Sequence, residues 1–221
     1  MAVWCPMKRW RFFAVLALSS TTALAAGCRS SDPLIVGTFS EEFERADLGS
    51  DWRDTGGHYR LVDGRLAAKG AHNNPLWLRK RLPHDVAIEF DANPTGEDGD
   101  IRVTLFGDGK STNASDGGCG STGYTLVFGA MKNKLDAICR EQQPAGGHST
   151  ARADWLVVPG RTYHYYITRK GDVVDWYVDG LAMLAFRDPQ PLAGPGHEYL
   201  AFDSWESEVF FDNLTIGPPG P

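Results

Sequence analysis

Short alternating apolar runs, broken every few residues by turn formers, constrain this chain more than any other feature. Val86, Ile88 and Phe90 alternate with Asp85, Ala87, Glu89 and Asp91. Val174, Trp176 and Val178 alternate with Asp175, Tyr177 and Asp179. A period of two puts one set on a buried face and the other toward solvent, the pattern of a half-buried strand. Asp63-Gly64 separates residues 59–62 from 65–68, and Asp179-Gly180 separates 173–178 from 181–186. Both dipeptides supply the positive φ that tight hairpin turns demand. Further strands are predicted near 35–43, 76–80, 101–106, 123–129, 134–140, 162–169, 198–203 and 208–216. From Leu34 onward helical periodicity is almost absent. A series of short strands with no intervening helices predicts an all-β, antiparallel two-sheet sandwich.

The first residues read differently. Residues 1–11 carry Lys8, Arg9 and Arg11 and no acid, and residues 12–26 are apolar but interrupted by Ser19-Ser20-Thr21-Thr22. That run is shorter than the roughly 20 apolar residues of a membrane-spanning helix, so it reads as a secretory signal. Leu24-Ala25-Ala26-Gly27-Cys28 resembles a bacterial lipobox. The resemblance implies cleavage before Cys28 and acylation of that cysteine, and two or more acyl chains anchor stably where one does not. Arg29 follows, not the Asp that retains some lipoproteins at the inner membrane. The expected organisation is a signal over 1–27, a lipidated tether over 28–34, one domain over 35–217 and a flexible tail over 218–221. The expected location is the bacterial cell envelope, at the outer membrane or cell surface.

With the signal removed, Cys119 and Cys139 form an even pair beside the lipidated Cys28. An exported protein meets an oxidising compartment, so a Cys119–Cys139 disulfide is expected. It would close a loop of about 20 residues, worth around 3 kcal/mol on the chain-entropy view. All 28 acidic residues lie beyond residue 27, against 19 of the 22 basic ones, so the remainder has a net charge of −9. That balance argues against nucleic acid as a partner, because phosphate backbones require clustered Lys and Arg.

Phe43-Glu44-Arg45-Ala46-Asp47-Leu48-Gly49-Ser50-Asp51-Trp52, the hairpin around Asp63-Gly64, Gly123-Tyr124-Thr125-Leu126-Val127-Phe128-Gly129, Asp175-Trp176-Tyr177-Val178-Asp179-Gly180 and Phe210-Phe211-Asp212-Asn213-Leu214-Thr215-Ile216 follow one another along the chain. In that order they resemble segments of the concanavalin A-like lectin/glucanase superfamily. The resemblance, across about residues 39–216, implies a jelly roll of two curved sheets whose last strand pairs back near the first. The fold hosts lectins, glycosidases, lyases and adhesion modules alike, so function must come from a site.

For carbohydrate binding, which needs exposed aromatic faces and nearby polar groups, the candidates are Trp77, Trp155 and Trp205 with Glu206 and Glu208. Trp52 and Trp176 read as core. The loop 107–122, rich in Gly, Ser, Asn and Asp, reads as a sugar-facing loop pinned by Cys119. A glycosidase would use two facing carboxyls, for which Glu89/Asp91 and Glu206/Glu208 have the spacing. A polysaccharide lyase would use a Tyr or His base beside a cation, and Tyr163, His164, Tyr165 and Tyr166 lie near Arg161 and Arg169. Alternation puts His164 and Tyr166 on one face and Tyr163 and Tyr165 on the other. No cofactor is called for. A structural calcium is the alternative, either at Asn93, Glu97, Asp98 and Asp100 or where Glu42 or Glu44 could meet Asp212. The commitment is a non-catalytic carbohydrate-binding domain on a lipid anchor, with enzyme and adhesion module as alternatives. Lipidation has a direct check: Cys28→Ala is expected to move the protein from the membrane fraction to the soluble one, and unchanged retention would exclude the anchor.

Overall fold

The computed structural model describes residues 32–112, 119, 122–141 and 149–220. Cys28, the tether before Asp32 and half of the loop 107–122 (residues 113–118, 120 and 121) lie outside them. The strands are β1 (Phe39–Glu41), β2 (Trp52–Asp54), β3 (Tyr59–Val62), β4 (Arg65–Lys69), β5 (Leu76–Leu78), β6 (Val86–Pro94), β7 (Ile101–Gly107) and β8 (Tyr124–Gly129). They continue with β9 (Leu135–Arg140), β10 (Thr150–Arg152), β11 (Tyr163–Lys170), β12 (Val173–Val178), β13 (Leu181–Arg187), β14 (Tyr199–Ser204) and β15 (Glu208–Gly217). The first sheet runs β13-β12-β11-β6-β15-β4-β3, with β1 also paired to β15, and the second runs β10-β9-β8-β7-β14-β5-β2. Their ladders are antiparallel throughout, as the alternation predicts. The last strand meets the first, with Phe39 opposite Ile216.

The predicted hairpins form where the turn chemistry puts them. Asp63 and Gly64 have φ of 49° and 71°, and Asp179 and Gly180 have 50° and 76°. Two three-residue strands, β2 and β10, escape prediction because they are too short to show a period. The strand expected over 35–43 contracts to β1, because Phe43 leaves the ladder at a positive φ of 54°.

Inner faces hold the alternating apolar set. Phe90 is the hub of the core: its ring stacks on Tyr165 at 4.5 Å, meets Phe202 of the other sheet edge-on at 5.1 Å, and lies 6.1 Å from Phe211. Phe202 stacks in turn on Phe211 at 4.4 Å and on Trp52 at 6.0 Å. Trp176 stacks on Tyr165 at 5.9 Å, and Phe128 of the second sheet meets Trp176 and Tyr163. Trp52 and Trp176 are buried, as expected. The Cys119–Cys139 disulfide forms, with Cα atoms 6.0 Å apart.

Phe90→Ala would leave a ring-sized void at a position where three aromatic rings from both sheets converge. A loss of about 3–5 kcal/mol of stability is expected, read as a lower midpoint in urea unfolding. A loss below about 1 kcal/mol would show that the hub is dispensable.

Candidate functional site

A pocket lies at one end of the second sheet, where β7 begins and β14 ends. It has a volume of about 240 Å³ and is lined by Asp98, Asp100, Arg102, Met131, Lys132, Trp205 and Glu206. Strand register makes its floor: Arg102 on β7 stands opposite Asp203 on β14, both on the face away from the core. Arg102 is only 6% exposed. Its Nε donates to Asp100 Oδ1 at 2.7 Å, and one Nη donates to Asn73 Oδ1. These bonds hold the guanidinium 5.6 Å from the centre of the Trp205 ring, within cation–π range. His72 approaches the same indole, with ring centres 4.9 Å apart, and its Nε2 lies 3.3 Å from Glu206 Oε1. Trp205 is therefore partly exposed yet fixed from two sides, and Glu206 stands 67% exposed beside it.

The backbone around the pocket is held in an unusual state. Residues 130–133, between β8 and β9, form a left-handed turn, with φ of 53°, 61° and 59° at Met131, Lys132 and Asn133. His72, Asn73 and Asp100 also have positive φ. Each non-glycine residue in this region costs on the order of 1 kcal/mol and persists only where its surroundings impose it. The turn is imposed by close packing: a Cβ on Gly99 would lie 3.0 Å from Gly129 Cα, and Asn133 bonds Val157 through both its amide atoms. Six of the twelve non-glycine residues with positive φ among the described residues surround this pocket, which makes it a candidate site.

Burial dominates the electrostatics. The Asp203 carboxyl is 4% exposed, and desolvation pushes its pKa up to about 7 in spite of neighbouring Arg102. The rim remains acidic, with Asp98, Asp100 and Glu206 facing Arg102 and Lys132. Carboxylates accept bonds from hydroxyls, and Arg and Lys donate to hydroxyl and ring oxygens. Beside an aromatic face, that set suits a neutral, hydroxyl-rich ligand.

The predicted site residues separate. Trp205 and Glu206 share the pocket. Trp77 is 1% exposed: its ring packs on Tyr199 and Ala201 under residues 107–111, with Nε1 donating to Ser111 O at 3.1 Å. That burial removes it as a stacking platform. Trp155 is partly buried, packed on Phe128 at 5.9 Å under the Arg152 guanidinium, and does not line the pocket. Glu208 pairs with Arg60 across the first sheet, so it does not converge with Glu206. Glu89 and Asp91 lie on the outer face of the first sheet around His164, whose Nδ1 is 2.9 Å from Asp91. The lyase set is split, because Tyr163, Tyr165 and Arg169 point inward while His164 and Tyr166 point outward. The calcium groups also disperse: Asn93 donates to Gly160 O and Thr162 Oγ1, and Asp100 is held by Arg102. Among the described residues no three His, Cys, Asp or Glu side chains come together as metal ligands. Sequence reasoning missed His72, Asn73, Arg102, Lys132 and Asp203, which come from four separate segments. The only trace was the acidic turn at Asp98 and Asp100.

The pKa of Asp203 carries a signed consequence. A carboxyl raised from about 4 to about 7 penalises the native state as pH climbs through that window, by about 1.4 kcal/mol per unit. Asp203→Asn is therefore expected to gain stability over the parent progressively from about pH 4 to 7. Urea unfolding across that range checks it, and a gap independent of pH would refute it.

No family model matches the chain, and no curated protein matches it. Solved structures do. A carbohydrate-binding module, CBM66 from Bacillus subtilis, superposes with a TM-score of 0.60 at 15% identity over 76% of this chain and 95% of its own. A Bacillus subtilis protein of unknown function with a galectin-like fold gives 0.62 at 16% identity, over 81% and 94%. The alginate lyase Aly36B gives 0.52 at 14% identity, over 82% and 97%. Together with the two antiparallel sheets and the pairing of first and last strands, these likenesses identify the fold as the concanavalin A-like jelly roll.

Proposed function

We propose that this chain is a non-catalytic carbohydrate-binding domain that receives a neutral glycan at the Trp205 pocket. The observation that carries the reading is the fixed, partly exposed indole of Trp205, held by Arg102 and His72 and ringed by hydroxyl-binding groups. In this reading a sugar ring packs against the exposed part of the Trp205 indole. Asp98, Asp100 and Glu206 accept its hydroxyls, and Lys132 donates from the opposite rim. The pocket is pre-formed, so binding orders little new backbone. Likeness in fold to a carbohydrate-binding module supports the class of ligand. The residues before Asp32 would serve as export signal and tether. Lipid on Cys28 would display the domain on the envelope surface.

A glycosidase is the second reading, favoured by one observation: perturbed carboxyls such as Asp203 cluster at active sites. Its near-complete burial argues against contact with a substrate.

A polysaccharide panel, assayed with calcium and with EDTA for retention and for released ends, separates the readings. Retention without product is expected. Trp205→Ala should weaken it by about 2 kcal/mol, roughly thirtyfold. New reducing ends lost in Asp203→Asn would establish the enzyme instead, and neither retention nor product would leave adhesion without sugar.

A further inference from the structure

The opposite end of the sandwich holds a buried cation with a donor to spare. Arg169 lies on the inward face of β11, where the other inward residues are Tyr163, Tyr165 and Ile167. It is 1% exposed. Its guanidinium sits 4.1 Å from the centre of the Phe106 ring, its Nε donates to Gly171 O at 3.2 Å, and Nη2 meets His84 Nε2 at 3.4 Å. Nη1 is buried with no hydrogen-bond partner, and among the described residues no carboxylate lies within ion-pair distance. An unpaired buried charge is strongly unfavourable, and an apolar side chain of the same size would remove the cost.

Arg169 lines a pocket of about 320 Å³. The walls are apolar, from Leu82, Pro83, Ala193 and Phe106, with His84 and His197 among them. The charges around it sort out simply. Arg81 is occupied by Glu198 at 3.1 Å. The His84 imidazole bonds Asp85 at 2.8 Å. The Asp85 and Asp188 carboxylates act on Arg169 at longer range but are engaged by His84 and by Arg140, so its positive charge has no ion-pair partner in the wall. The Glu198 carboxylate in the same wall would repel a dianion. From the unpaired Nη1, the single positive charge and the apolar walls we infer a ligand site for a small monocarboxylate carried on an apolar body.

The ligand's carboxylate completes the guanidinium, and its body fills the space between Leu82 and Ala193. His84, more than half exposed, is the side chain that turns aside to admit it. This site shares no residue with the Trp205 pocket, so either can fail without the other.

Titration of the full chain with benzoate, benzamide and inorganic phosphate tests the assignment, followed by chemical shifts of the arginine and histidine side chains. Saturable benzoate binding is expected, with benzamide and phosphate each at least tenfold weaker. Arg169→Met should lose at least tenfold in benzoate affinity while keeping its near-ultraviolet circular dichroism. Ala193→Trp fills the pocket from an exposed loop and should abolish binding. If Arg169→Met does not fold, Ala193→Trp alone decides. Absence of saturation, equal affinity for benzamide, tighter binding of phosphate, or undiminished binding in Ala193→Trp would each overturn the proposal.

Discussion

The contact of Phe90 with Phe202 is the joint on which the sandwich rests. One ring belongs to the first sheet and the other to the second, and each is braced by a stacked neighbour, Tyr165 and Phe211 respectively. Aromatic pairs add geometric preference to the area they bury, so they fix how the sheets face each other as well as how far apart they lie. Once that spacing is set, alternation decides every other position. Inward residues are committed to the core, and function is confined to the outer faces and the two ends.

At one end that confinement produces the Trp205 pocket. Arg102 and Asp203 meet only because β7 and β14 are adjacent in their sheet, although about a hundred residues separate them in the chain. Asp100 and Asn73 then hold the guanidinium, and the left-handed turn after β8 closes the side. Strained backbone and buried charge are both unfavourable for folding alone. Their coincidence at one pocket sets it apart from the outer face of the first sheet, where His164, Glu89 and Asp91 form ordinary solvated pairs.

The sequence made the fold legible because its signals are local. The Asp-Gly turns, the period of two around Phe90 and Trp176 and the even pair of cysteines each act within a few residues or a single loop, and each appears in the structure. The site was legible only in part. Trp205 and Glu206 adjoin a visible turn, so they could be named. Trp77 could not be told from them, because its burial comes from residues 107–111 folding back over an outward-facing position. The turn at 130–133 carries no glycine beyond Gly129 to announce its handedness, and the Arg102 cluster depends on register between distant strands. Short edge strands such as β2 and β10 have too few residues for any periodic signal.

The pairing of β1 with β15 gives the domain a direction. Thr38 and Gly217 sit together, whereas Glu208, at the other end of β15, adjoins the Trp205 loop. Ten extended residues at about 3.3 Å each separate the two ends by about 30 Å. The residues leading into β1 thus leave the body at the pole remote from Trp205, beside the Arg169 pocket with Leu34 at its rim. The segment entering β1 and the Trp205 pocket therefore stand at opposite ends of the domain. A ligand at one pole and a ligand at the other are thus held apart by the length of a single strand, with the whole aromatic core between them.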